Sequence, residues 1–300
     1  MQIKKIHPCT GHRAAIYALA EGSGDRFFLS AGGDGWIVEW NLDAPETGRL
    51  IARTESKIFS LCSLPEQDIL VAGNMDGGLH WIRPKEGGKS KDILHHKKGV
   101  FDLLPLGDHL YSAGGDGVLT RWSIAEARAL ESIQLSGESM RCMALHPERR
   151  EIAIGASDGH IYVVNADTMV INYTIHSAHD NSVFCLAWTP DGKRLLSGGR
   201  DAWLRVWNEQ GKPDLNGPKE AAHMFTINHL AFSPDGSLFA TASRDKTIKI
   251  WDTYSLKLLK VLDTIRHGGH INSVNRLLWL PEMLVSASDD QRAIIWEVEP

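Results

Sequence analysis

The chain has 300 residues, 43% of them apolar, and a formal net charge of −5. That balance argues against general nucleic-acid binding, which needs clustered Lys and Arg to neutralise phosphates. No apolar stretch reaches the length of a membrane span, and the N-terminus MQIKKIHPC has no apolar signal core, so a cytoplasmic protein with no membrane partner is expected.

From the N-terminus, Gln2 to His7 reads as an extended segment without a partner of its own. Seven copies of one pattern follow: an apolar strand, a turn, a strand bearing Ser or Thr, an Asp turn, and a third strand that usually ends on Trp. The turn residues are Asp34, Asp76, Asp116, Asp158, Asp201, Asp245 and Asp290. Six residues after each lie Trp40, Ile82, Trp122, Val164, Trp207, Trp251 and Trp296. The Asp spacings run from 40 to 45 residues. Sheet-like units at that period predict an all-β fold, a seven-bladed β-propeller of four-stranded antiparallel blades. Blades cannot bury their faces alone, so residues 1–300 are expected to form one domain.

The sixth copy shows the elements most plainly. Ile227 to Phe232 is the predicted inner strand, and SPDG at 233–236 a hairpin turn in which Pro presets φ and Gly accepts positive φ. Leu238 to Ala242, Thr247 to Trp251 and Leu256 to Leu262 are the next three strands. The connection from Asn208 to Glu220, rich in Gly and Pro, is read as an exposed loop. The seventh copy ends after its third strand. The N-terminal segment is therefore expected to complete the last blade and close the ring.

These columns resemble the WD-repeat β-propeller family over essentially the whole chain. A GH pair precedes the first inner strand, and a WD pair stands at Trp251–Asp252. The resemblance implies a hydrogen-bonded chain of four side chains within a blade. Its His column would be His12, His96, His179, His223 and His270, and its hydroxyl column Ser30, Ser112, Ser197, Thr241 and Ser286. Blades 2 and 4 lack three members at once: Thr54, Ala72 and Ile82 stand in one, Ser136, Ile154 and Val164 in the other. Joint loss is what a buried network predicts, because a half-satisfied one costs more than an apolar replacement. Asp76 and Asp158 are then expected to hold their turns through local backbone bonds.

No catalytic constellation stands out. G-x-S-x-G occurs at Gly155–Gly159, but in a strand-to-strand turn and not on a nucleophile elbow. GGKS at Gly87–Ser90 lacks the first phosphate-loop Gly, since Arg83 stands there. Cys9, Cys62, Cys142 and Cys185 form no C-x-x-C pair and are read as small buried residues. The H-x-x-H pairs His176/His179 and His267/His270 have no nearby carboxylate or Cys to complete a metal set. The basic run from Arg83 to Lys98 is read as a solvated loop and edge strand. Neither cofactor, metal nor enzyme activity is expected.

The family resemblance implies two variable columns on the top face of the propeller. The residue after the first apolar residue of each inner strand reads Tyr17, Phe59, Phe101, Arg141, Phe184, Asn228 and Asn275. The residue before each turn Asp reads Gly33, Met75, Gly115, Ser157, Arg200, Arg244 and Asp289. Aromatics around a central mouth are typical interaction hot spots, although rings can also merely fill the mouth. Arg141, Arg200 and Arg244 form a rim suited to acidic or phosphorylated peptides. Trp36 and Trp203 extend the surface. The expectation is a non-catalytic scaffold that binds a protein or peptide through its top face. A reader of phosphorylated or acidic peptides is the alternative, and a propeller enzyme or small-ligand binder at the channel mouth is the rival from another class.

Overall fold

Seven antiparallel sheets follow one another in sequence order, six of them each a short stretch of chain folded back on itself and the last one joining the two ends of the chain. They are seen in a computed structural model that describes residues 1–87, 89–214, 217–218 and 220–299. The GGKS segment and the connection from Asn208 to Glu220 each include residues outside that set. Blade 6 is representative, with strands Ile227–Phe232, Leu238–Ser243, Ile248–Asp252 and Leu258–Leu262. The first three strands fall within about a residue of their expected positions, and the outer one starts two residues later.

The first turn of blade 6 works as its sequence demands. The Ser233 hydroxyl donates to Asp235 and accepts from the Leu238 N–H, and Gly236 takes the positive φ. Apolar residues of alternate strand positions meet their counterparts on the next blade. One cluster joins Leu196, Leu204 and Val206 of blade 5 to Leu230, Phe239 and Trp251 of blade 6. Each blade thus buries its face only against a neighbour.

Gln2–Cys9 pairs antiparallel with Ala293–Glu299 and supplies the fourth strand of blade 7, from Gln2 opposite Glu299 to Cys9 opposite Ala293. The N-terminal segment therefore closes the ring. Blade 5 departs from the four-stranded pattern. Among the described residues it has three strands, Val183–Trp188, Arg194–Gly199 and Leu204–Asn208, and one isolated bridge from Trp207 to Pro213. The Gly- and Pro-rich connection begins as a fourth strand, bonding Val206 and Asn208 through Asp214 and Lys212.

The polar network is present in blades 1, 3, 5, 6 and 7. In blade 5 the Trp207 indole lies 2.9 Å from the Ser197 hydroxyl, which lies 2.8 Å from His179 Nε2, and His179 Nδ1 lies 2.9 Å from Asp201. The direction of each bond follows from donor chemistry. An indole N–H can only donate, so the serine oxygen accepts it and gives its own proton to Nε2. The imidazole is then neutral, with its Nδ1–H donated to the carboxylate. Burial lowers the pKa of His12, His96 and His223, against the opposing pull of their Asp partners. Burial pushes the Asp245 and Asp290 carboxyls up, but bonds from His223 and His270, with further donors, leave both well below the usual range.

Blades 2 and 4 correct the expectation of a purely apolar replacement. In blade 2 a different polar chain runs from Asn74 Nδ2 to His80 Nε2 at 3.0 Å, and from His80 Nδ1 to Asp92 at 2.8 Å. Asn74 Oδ1 also accepts the turn N–H groups of Asp76 and Gly78, while Asp76 accepts the Ser56 hydroxyl. The turn is thus held by Asn74 and not by Asp76. In blade 4, Asp158 does accept the local His160 N–H, and it also accepts the Ser136 and Tyr162 hydroxyls. All four cysteines are free and buried, and burial pushes the thiols of Cys9, Cys62 and Cys185 up to about 12.

Candidate functional site at the channel mouth

The first residue of every inner strand is buried. Ile16, Ile58, Val100, Met140, Val183, Ile227 and Val274 pair with the last residues of their second strands. The ladder then slips by one residue in all seven blades. The skipped residues are Tyr17, Phe59, Phe101, Arg141, Phe184, Asn228 and Asn275. Each is therefore a β-bulge residue, freed from the ladder and re-aimed by the local kink. That is the physical reason this column varies so freely.

The second column is fixed to the first. The backbone N–H of Gly33, Met75, Gly115, Ser157, Arg200, Arg244 and Asp289 each donates to the carbonyl of the residue just before the inner strand, from Ala15 in blade 1 to Ser273 in blade 7. Both columns thus sit at the same end of the propeller.

The aromatic residues of the first column form one continuous strip. Tyr17 meets Phe59 edge-on at 5.4 Å, and Phe59 stacks on Phe101 at 5.4 Å. The Arg141 guanidinium lies 4.3 Å from the Phe101 ring and 5.5 Å from the Phe184 ring. A Cβ at Gly115 would come within 2.8 Å of the Phe101 ring, so glycine there keeps room for the strip. All four aromatic residues are half-buried.

The structure separates the three rim arginines. Arg141 is held between two phenyl rings, and its Nε donates to Ser157 at 2.8 Å. Burial lowers its pKa. Arg200 and Arg244 are exposed. Asn228 donates to Ser273 and to the Val274 carbonyl, and Asn275 to the Ile16 carbonyl and Asp289. These two residues tie blade 6 to blade 7 and blade 7 to blade 1.

Met224 and Phe225 escaped the column comparison. They are 82% and 56% exposed, on a loop bonded through its two ends to the turns that carry the exposed Arg200 and Arg244. His223 N–H bonds to Ala202 beside Arg200, while Arg244 N–H bonds to Thr226. The signal in the sequence was an apolar pair directly after a network histidine, where blade 1 has Arg13–Ala14 and blade 5 has Asp180–Asn181.

One residue further along the inner strands, blades 3, 6 and 7 carry the polar residues Asp102, His229 and Arg276. Asp102 and Arg276 belong to blades 3 and 7, and Arg276 Nη2 lies 3.3 Å from Asp102 Oδ1. Blades so far apart in the ring can meet only across the central axis. Asp102 Oδ2 accepts the Met143 N–H, and His229 Nδ1 accepts the Leu277 N–H. These groups are engaged with one another and with neighbouring backbones. Among the described residues no cluster of three His, Cys, Asp or Glu is placed to hold a metal ion. No helix among them is long and apolar enough to cross a membrane.

A closed ring of seven sheets with this Trp–hydroxyl–His–Asp chain defines a WD-type β-propeller. The family model described as "WD domain, G-beta repeat" matches residues 3–41, 171–208 and 219–252, so the seven-bladed propeller carries WD repeats in those segments. It is similar to WD repeat-containing protein 90 of Mus musculus, with 26% identity over 147 residues, 46% of this chain and 8% of that protein. It is also similar to the THO complex subunit 6 homolog of Danio rerio, with 26% identity over 174 residues, 51% of this chain and 53% of that one. The matched segments span less than two thirds of either relative. The crystal structure of the WD40 β-propeller domain of Doa1 superposes with a TM-score of 0.87 over 99% of this chain and 97% of that one. At 17% identity this likeness is one of fold. Propellers of the family generally serve as protein-interaction scaffolds.

Proposed function

We propose that the protein is a non-catalytic interaction platform that binds a protein or peptide segment across its top face. The carrying observation is the unbroken strip Tyr17–Phe59–Phe101–Arg141–Phe184 at the channel mouth. The fold does not require rings there, since the same bulge position accepts Asn228 and Asn275. Partly exposed aromatic residues with an arginine among them are the usual anchors of an interface. Arg141 serves as part of the strip, stacking on the rings. Asn228 and Asn275 frame the site by joining blades and are not its anchors.

Exposed Arg200 and Arg244 flanking Met224–Phe225 support a second reading, in which the bound segment carries acidic or phosphorylated groups beside an apolar one. The polar groups one residue further along the inner strands are tied to each other, which disfavours chemistry at the mouth.

Partners recovered by the intact propeller from a lysate and identified by mass spectrometry supply the ligand. Phe59→Ala, Phe101→Ala and Phe184→Ala are then compared with the wild type for capture and for urea unfolding. An anchor costs about 2 kcal/mol or more of binding when truncated. Losses of about 3–5 kcal/mol in folding, with capture unchanged per folded molecule, would remove the mouth strip from the interface. Reversing Arg200 and Arg244 to Glu should abolish capture of an acidic ligand and spare an apolar one.

A further inference from the structure

Trp36 begins the third strand of blade 1, and two guanidinium groups stack on its indole. Arg13 lies 4.9 Å and Arg53 4.7 Å from the ring centroid. Three local constraints bring the residues together. The Asp34 carboxylate accepts the backbone N–H of both Arg13 and Trp36, which holds the loop after His12 against the start of the strand. Arg53 stands directly opposite Trp36 in the ladder with the outer strand Ala44–Arg53. Neither guanidinium has an ion-pair partner among the described residues, whereas Arg26 and Arg49 of the same blade are paired with Asp43 and Glu39.

Blade 5 provides an internal control. It has a tryptophan at the same position, Trp203, whose N–H is held by Asp201. The residue matching Arg13 is there Asp180, and its N–H also bonds to Asp201. Arg205 lies 5.7 Å from the Trp203 ring and is paired with both Asp180 and Asp201. The cation beside Trp203 is neutralised within the blade. Beside Trp36 two positive charges are left open to solvent.

We infer that Arg13, Trp36 and Arg53 form a clamp for a phosphate monoester, carried by a phosphorylated serine or threonine of a partner polypeptide. Stacking on the indole orients two planar forks that would otherwise be mobile. Two guanidinium charges match the charge of about −2 that a phosphomonoester carries near pH 7, whereas a carboxylate answers only one of them. A polyanion such as nucleic acid is disfavoured because the chain carries a net charge of −5 and the clamp offers only two cations. The site uses none of the mouth residues and does not rest on the platform reading.

The probe is a pool of short peptides with a fixed central phosphoserine and mixed flanks, immobilised beside the same pool with unmodified serine. The full chain should be retained on the phosphorylated resin alone and released by free inorganic phosphate. Arg13→Ala and Arg53→Ala should each weaken retention about tenfold or more. Trp36→Phe, which keeps an aromatic face, should retain much more than Trp36→Ala. Arg26→Ala, which removes an exposed arginine of the same blade that is paired with Asp43, should leave retention unchanged. Thermal unfolding of each variant separates lost binding from lost fold, since Arg13 and Arg53 are exposed while Trp36 is partly buried against the core shared by blades 1 and 7. Equal retention on both resins would overturn the proposal. So would loss in Arg200→Ala and Arg244→Ala without loss in Arg13→Ala and Arg53→Ala, or preferential capture by duplex DNA or phosphatidylserine vesicles.

Discussion

Arg276 reaches across the central channel to Asp102, from blade 7 to blade 3, with Nη2 3.3 Å from Oδ1. The carboxylate is buried, and its other oxygen holds the Met143 N–H of blade 4. Three blades are thus coupled through one side chain. Burial raises the Asp102 pKa, and Arg276 opposes the shift. Arg276→Ala should therefore cost about 3–5 kcal/mol at neutral pH, because it leaves a buried charge without its partner. Asp102→Asn keeps an acceptor for Met143 and removes the charge, so its loss should be smaller. In the Arg276→Ala protein, the stability deficit relative to the wild type should shrink as pH falls. A carboxyl whose folded pKa is raised destabilises only above the unfolded value of about 3.9. Urea unfolding of both variants at pH 7 and pH 5 checks the order and the sign.

Removing residues 1–9 should lower stability by several kcal/mol, because the strand Gln2–Cys9 would no longer cover the edge of blade 7. Ile3 and Cys9 also leave the core clusters of blades 7 and 1. A truncated protein that melts at the same temperature would show that the ring does not depend on this closure.

The polar chain within a blade should be worth more than an apolar contact in the same column. Trp207→Phe removes the indole donor to Ser197 and should cost about 1–3 kcal/mol. Ile82→Leu, in a blade without the chain, should cost less than about 1.5 kcal/mol. Equal losses in thermal or urea unfolding would reduce the tryptophan column to ordinary packing.

Stability should decline in two stages as pH falls. His12, His96 and His223 are held below the ordinary histidine range by burial. A neutral buried histidine favours folding above its unfolded pKa of about 6.5, and that contribution is lost as the unfolded chain takes up protons below it. Asp245 and Asp290 are depressed on balance. Their contribution is present above the unfolded value of about 3.9 and disappears as pH drops towards their folded values. Melting temperatures from pH 8 to pH 3 should therefore bend near 6.5 and again near 4.

What the sequence determined by itself lies within single blades. Asp201, Trp207, Ser197 and His179 are at most 28 residues apart along the chain, and seven repeats let each column be read against its sisters. The blade order, the five complete networks and the closing strand were legible for that reason. Blade 2 was only half legible. Column comparison shows what Thr54, Ala72 and Ile82 lack, but it does not show that Asn74, His80 and Asp92 build a chain of their own. Contacts between blades were decided by the tertiary structure alone. Arg141 stacks between Phe101 and Phe184, and Asp102 meets Arg276 across the axis, because ring closure brings distant turns together. Arg13 and Arg53 both reach Trp36 because of one carboxylate and one strand register. Side-chain charge is written in the sequence, but whether a charge finds a partner depends on which neighbours the fold places beside it.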